Sequence, residues 1–299
     1  MSGVNSDAPV FMDPAIPRKS SIINETLKIQ KLPLPSVVEI SESGTCNRSC
    51  SFCPRSDPNY PDVKEFISER LVSKLATELA TESYEGIVLF SGFVEPLLDK
   101  KIYEHVRVLR KNLPKARIEI VTNGDPLDLN RLIRLFESGL STILISVYDG
   151  PKEAERFQEL CKQANLTDRQ FVIRHRYLPK DQNFGITLNN RAGMMKNAEH
   201  PIPPTAEPLR KPCYYPHYTF FVDYLGDVLL CPHDWGKRKV AGNLLNQSFN
   251  EIWTGDIFMD ARKKLGDGMR NFLPCSVCDV NGTLMGGGHK SAWDKVSPR

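Results

Sequence analysis

From Val37 onward the sequence alternates between short apolar runs and longer amphipathic stretches, and few folds accommodate that rhythm. VVEIS leads into KEFISERLVSKLATELATES, where Ile67, Leu71, Leu75 and Leu79 recur four apart, the spacing of one helical face. GIVLFSG is followed by a helical pattern over about residues 100–113, RIEIVTNG by one over about 129–138, and STILISVYD by one over about 152–164. QFVIRHRYLP closes the series. Strands that are apolar nearly throughout are buried on both faces, and amphipathic helices supply the cover, so an α/β fold with a parallel sheet is expected. Five strands are read in this way, and a sixth is expected at GITLNN.

The alternation has limits on both sides. Residues 1–35 are polar, broken by proline and without a sustained period, which predicts a surface extension or partial disorder with no legible function. Pro201, Pro203, Pro204, Pro208 and Pro212 forbid a regular element, so residues 199–212 read as a stiff linker between a core at 36–198 and a second region at 213–299. In that region YTFFVDYLGDVLLC predicts a hairpin around Leu225-Gly226-Asp227, Ser248 and Glu251 have capping-box spacing, and Gly286-Gly287-Gly288 reads as a flexible tail segment. With 39 basic and 36 acidic residues, charge gives no argument for nucleic acid or an acidic membrane as partner. No apolar run approaches the roughly 18 residues of a membrane span, and the N-terminus lacks a signal-peptide pattern. A cytoplasmic protein is expected, in which the eight cysteines serve as metal ligands or free thiols.

Cys46, Cys50 and Cys53 form CxxxCxxC directly after the first predicted strand. In a cubane 4Fe–4S cluster each iron needs one ligand from outside the cluster, so three cysteines leave one iron open to a small molecule. A zinc site completed from elsewhere, or thiols without metal, are the alternatives. CxxxCxxC with Phe52 just before its last cysteine resembles the radical S-adenosylmethionine (SAM) superfamily. The resemblance implies a partial (β/α)6 barrel and a cluster whose open iron binds SAM through its amino and carboxylate groups. It also implies cleavage of SAM to a 5'-deoxyadenosyl radical that abstracts a substrate hydrogen. Ser91, Gly92, Phe93 and Glu95 resemble the segment that meets the SAM amino group, with Val94 where glycine is common. Asn123 and Ser146 match positions that contact the SAM ribose or carboxylate.

Four further cysteines, Cys213, Cys231, Cys275 and Cys278, follow the linker and can close a structural zinc or a complete iron–sulfur cluster. Gly226 five residues before Cys231 and the closing CxxC resemble the SPASM and twitch domains, small cluster-binding units of hairpin and helix appended to radical SAM enzymes. With no cysteine after Cys278, one auxiliary 4Fe–4S cluster is implied, and the spacings resemble those of the aminocyclitol dehydrogenases of the family.

A fully ligated cluster suits electron transfer, which favours oxidation of a hydroxyl-bearing small molecule such as a sugar or aminocyclitol. Epimerisation is the first alternative and needs a hydrogen donor; Cys161, the remaining thiol, reads as mid-helix packing. A peptide-modifying enzyme and a non-catalytic zinc or iron–sulfur protein are the others. Arg191 and Tyr177 are the candidate catalytic residues, with Tyr60 and Tyr148 unassigned. Strand alternation puts Arg174 and Arg176 on one face and His175 and Tyr177 on the other. His233, Asp234 and Trp235 are expected to support the second cysteine set, and flavodoxin or ferredoxin is the expected electron donor.

Overall fold

The computed structural model describes residue 13 and residues 15–296. Helix α1 (Ala15–Glu25) precedes the sheet, and the five apolar runs become β1 (Val37–Ser41), β2 (Ile87–Phe90), β3 (Arg117–Thr122), β4 (Thr142–Val147) and β5 (Phe171–His175), paired in parallel in chain order. GITLNN is not a strand: Asn183, Phe184 and Gly185 all have positive φ and turn the chain away from β5. The sixth parallel strand comes from beyond the linker. β6 (Thr219–Asp223) pairs with the other edge of β1, from Val37 opposite Thr219 to Ser41 opposite Asp223. β7 (Asp227–Leu229) and β8 (Val240–Asn243) then add antiparallel strands, giving the order β8-β7-β6-β1-β2-β3-β4-β5. The linker marks a change of sequence type, and the sheet runs across it.

Period-two alternation sorts the side chains. Val38, Ile40, Phe90, Ile120 and Ile145 join the core under α2 (Glu69–Thr81), α3 (Ile102–Asn112), α4 (Leu129–Glu137) and α5 (Pro151–Gln163). Glu39, Leu89, Glu119, Leu144 and Ser146 instead line a cavity on the concave side. The helical period near Ile67 begins later than its spacing suggests, because Ser68 caps α2 by accepting a hydrogen bond from the Leu71 amide at 3.2 Å. Ile67 is buried, but it lies between the strand Val63–Phe66 and that cap.

The described part of the N-terminal extension is docked. Ile23 is fully buried with Val37, Ile87 and Leu89, and Ser36 Oγ donates to the Ile23 carbonyl. Residues 1–12 and 14 of that expectation lie outside the described residues. After the linker come the single turn α6 (Tyr215–Tyr218), α7 (Phe249–Trp253), α8 (Asp256–Gly266) and α9 (Gly287–Val296). Ser248 and Glu251 form the expected capping box. The triple glycine is not a loose tail: Gly286, at φ 83°, lies against the Tyr218 ring, and Gly287 opens α9. Among the described residues, no helix is long and apolar enough to cross a membrane.

One prediction follows from a sheet shared by both regions. Phe220 on β6 is fully buried against Phe249 at 4.9 Å and Trp253 at 6.1 Å between ring centroids. Phe220→Ala should cost about 3–5 kcal/mol. Far-UV circular dichroism and tryptophan fluorescence should then shift together to lower denaturant as one transition.

Candidate active site

The loop carrying Cys46, Cys50 and Cys53 leaves β1 through the short strand Ser43–Gly44 and folds over the C-terminal ends of the parallel strands. Two arginines within the motif region pin it. Arg48 donates to both oxygens of Asp125, at 2.7 and 2.5 Å, and to Asp149 at 3.1 and 2.8 Å. Arg55 donates to the Phe93 and Gly44 carbonyls at 2.6 and 2.8 Å. Held in this way, all three thiols line a cavity of about 510 Å³, within the range of small-ligand sites.

Phe52, Gly92, Glu95, Asn123 and Ser146 line the same cavity. Phe52 stacks on Phe184 at 5.1 Å and on Tyr148 at 6.2 Å. Gly92 has φ 100°, and a Cβ there would come within 3.1–3.2 Å of Ser41 and the Phe221 ring, so the strand end requires glycine. Glu95 is buried and accepts from Thr122 Oγ1 at 2.6 Å, the Asn123 amide at 2.7 Å and the Leu97 amide at 3.0 Å. Burial pushes its carboxyl up to about 7, against those three hydrogen bonds. A carboxylate has about four acceptor positions, so one remains for a ligand donor. Asn123 Nδ2 donates to Asn47 Oδ1 at 2.8 Å and lies 3.9 Å from Cys46 Sγ.

Arg191 enters the cavity from a strained turn. It and Ala192 have φ 47° and 52°, a conformation that costs non-glycine residues on the order of 1 kcal/mol each. The turn is fixed by buried Asn190, whose amide donates to Asp279 at 2.9 Å, whose Nδ2 donates to the Val277 and Pro203 carbonyls at 2.8 and 3.2 Å, and whose Oδ1 accepts from Gly193 at 3.2 Å. The Arg191 guanidinium lies 5.9 Å from the Trp235 ring centre and 3.4 Å from His233 Nδ1. Among the described residues it has no carboxylate within ion-pair distance, and burial lowers its pKa. His233 is held neutral by burial and then by the charges of Arg191 and Lys19.

Arg174 and Arg176 face the cavity, as one of the two alternating faces of β5 must. Tyr177 does not line the cavity: its hydroxyl meets His175 Nδ1 at 2.8 Å, on the other face. Tyr148 and Tyr215 line it instead, whereas Tyr60 packs against Trp235. Cys161 is fully buried in α5 within the outer core. Asp234 closes its own loop by accepting from the Arg238 and Lys239 amides at 3.0 and 2.9 Å. Sequence reading passed over Glu39, Glu119 and the whole contribution of α1. The first two left a signal, a lone acid on the inward parity of an otherwise apolar strand.

Cys213, Cys231, Cys275 and Cys278 line a second cavity, together with Tyr215, His233, Val280 and Arg270. These thiols fit an iron–sulfur cluster in three respects. Burial and mutual repulsion push the Cys231 thiol up, so its thiolate form calls for a bound cation. Gly282 packs directly on Cys213, where any Cβ would collide with the sulfur. Arg270 is buried and donates only to carbonyls, those of Lys211, Val280 and Pro212 at 2.8, 2.9 and 2.8 Å, so its charge is available to balance thiolates. The CxxxCxxC thiols fit an open cluster because a ligand-sized space lies beside them.

Comparison with known proteins agrees with this geometry. Residues 40–180 match the radical SAM superfamily and residues 213–279 match the SPASM iron–sulfur cluster-binding domain. The chain is 31% identical over 235 residues to the S-adenosyl-L-methionine-dependent 2-deoxy-scyllo-inosamine dehydrogenase of Niallia circulans, covering 79% of this chain and 88% of that protein. The crystal structure of BtrN in complex with AdoMet and 2-DOIA superposes with a TM-score of 0.70 at 28% identity, over 86% of this chain and 98% of that one. Native anSMEcpe with bound AdoMet shares the fold alone, at a TM-score of 0.52 and 15% identity over 87% of this chain and 95% of that one. The chain therefore belongs to the radical SAM superfamily, as an enzyme whose cofactors are SAM, a SAM-binding 4Fe–4S cluster and an auxiliary cluster in a C-terminal SPASM-type domain.

Proposed function

We propose that this enzyme oxidises a secondary alcohol of a small polyhydroxylated or aminocyclitol-like ring to a ketone. The observation that carries the reading is a shared wall: Tyr215, His233 and Val280 line both the cavity of the CxxxCxxC thiols and that of the second cysteine set. An electron leaving a substrate in the first cavity would have this shared wall to cross. The relative named for dehydrogenation of 2-deoxy-scyllo-inosamine supports the substrate class.

In this reading Cys46, Cys50 and Cys53 hold the cluster that binds SAM, and Cys213, Cys231, Cys275 and Cys278 hold the auxiliary one. When bound, these groups take one hydrogen atom to 5'-deoxyadenosine and one electron to the auxiliary cluster, leaving one proton for solvent. The protein supplies position and charge. Glu95 would accept from the SAM amino group, and Phe52, Gly92, Asn123 and Ser146 line the space that SAM would occupy, the last two as polar partners for its ribose or carboxylate. Arg191, without a carboxylate partner, donates to the reacting oxygen and makes its proton easier to lose. Trp235 and Phe93, packed at 4.7 Å, keep water from that side. Epimerisation would need a hydrogen donor; Cys161, the spare thiol, is sealed in the outer core, which leaves that role to a cavity tyrosine such as Tyr148. Oxygen-labile clusters and unpaired cysteines fit the reducing cytoplasm, with a flavodoxin or ferredoxin as reductant.

The reading predicts a product two hydrogens lighter than the substrate when turnover is followed by mass spectrometry. An isomeric product carrying solvent deuterium on carbon would sink it. The Cys275→Ala/Cys278→Ala protein should fall from about eight to about four irons per chain. It should still cleave SAM while yielding little ketone. Because burial favours the neutral form of Glu95 below about 7, SAM should bind more tightly as pH rises from 6 to 7.5. Glu95→Gln should bind SAM more weakly and flatten that pH dependence in a titration followed by cluster absorbance.

A further inference from the structure

One wall of the active cavity comes from a segment that neither family match includes. The matches begin at residue 40, yet Asp13, Ile16, Arg18 and Lys19 line the cavity with the three thiols. Three attachments fix the segment there. Arg18 donates to both oxygens of Glu119 on β3, at 3.1 and 2.6 Å. Asp13 accepts from Arg174 and Arg176, on and just after β5, at 2.7 Å for Arg174. Ile23 packs between β1 and β2. The helix thus reaches across the concave side of the sheet from its middle to its open edge.

These attachments divide the polar groups of the wall by role. Arg18 and Asp13 are fully engaged by protein partners. Lys19 lines the cavity, and among the described residues its ammonium has no hydrogen-bond or ion-pair partner. His233 and Arg191 line the same cavity. A half-buried ammonium in the same cavity as an arginine makes that space rich in donors, which suits hydroxyl or carbonyl oxygens.

We propose that α1 is a substrate-recognition element in which Lys19 donates to a hydroxyl oxygen of the ring, while Arg18 and Asp13 are positioning residues that hold the helix in the cavity wall. The proposal rests on the dehydrogenase reading and adds to it the residue that selects among polyhydroxylated rings.

The test uses the full chain, reconstituted anaerobically, with SAM, reductant, and 2-deoxy-scyllo-inosamine or myo-inositol as probe. Lys19→Met should raise KM for the probe that is turned over by about tenfold or more, because a charge-assisted hydrogen bond is lost. Its kcat should stay within about threefold of the parent, as for loss of uniform binding. Lys19→Arg should restore most of the affinity, and iron content and visible absorbance should match the parent in both variants. Arg18→Met should raise KM and the share of 5'-deoxyadenosine released without ketone. A Lys19→Met protein with parental KM overturns the assignment of Lys19 while leaving the dehydrogenase reading intact. Parent protein that makes no product from either probe overturns the substrate class on which both stand.

Discussion

The arrangement depends on β1 being paired on both edges. Its parallel ladder with β2 begins the barrel, and its parallel ladder with β6 fastens the C-terminal region to the same sheet. The CxxxCxxC loop leaves the end of β1, while the chain that leaves β6 turns back through β7 to reach Cys231. Register along one strand therefore sets the separation of the two cysteine sets. Such spacing is hard to obtain from two domains joined only by a proline-rich linker, since packed domains can slide where hydrogen-bonded strands cannot.

Much of this was legible in the sequence, for identifiable reasons. Five strands and the helices between them follow from burial on both faces, and the two cysteine sets stand out by their spacing, with their cluster type coming from the family resemblance. GITLNN misled because a β-branched run says nothing of the positive-φ turn before it, at Asn183 and Phe184, which removes the run from hydrogen-bonding reach of β5. The sixth strand could not be located in advance because its pairing with β1 joins residues about 180 apart in the chain, a contact that local periodicity does not encode. Tyr177 missed the cavity by parity alone: a two-residue period puts Arg174 and Arg176 inside and sends Tyr177 out. The N-terminal helix escaped notice because its sequence is largely polar and two of the three attachments of its segment are ionic, made to Glu119, Arg174 and Arg176 far along the chain.

The concave side of the sheet departs from the rule that a parallel sheet is apolar on both faces. Glu39, Glu119, Arg174 and Arg176 all sit on that side, and the last two are balanced by Asp13 as Glu119 is by Arg18. Pairing offsets part of the cost of holding these charges in a confined space, so the helix balances the cavity as well as walling it. Glu39 receives a hydrogen bond from Ser91 at 2.6 Å and has no cation within ion-pair distance among the described residues, so it is the acid of the inner face left to meet a ligand.

Asn190 has a consequence of another kind. Its single side chain answers to the linker at Pro203, to the CxxC loop at Val277 and to the left-handed turn that aims Arg191. It fastens three segments to one another. The direction of the arginine is thus tied to the CxxC loop through one buried carboxamide.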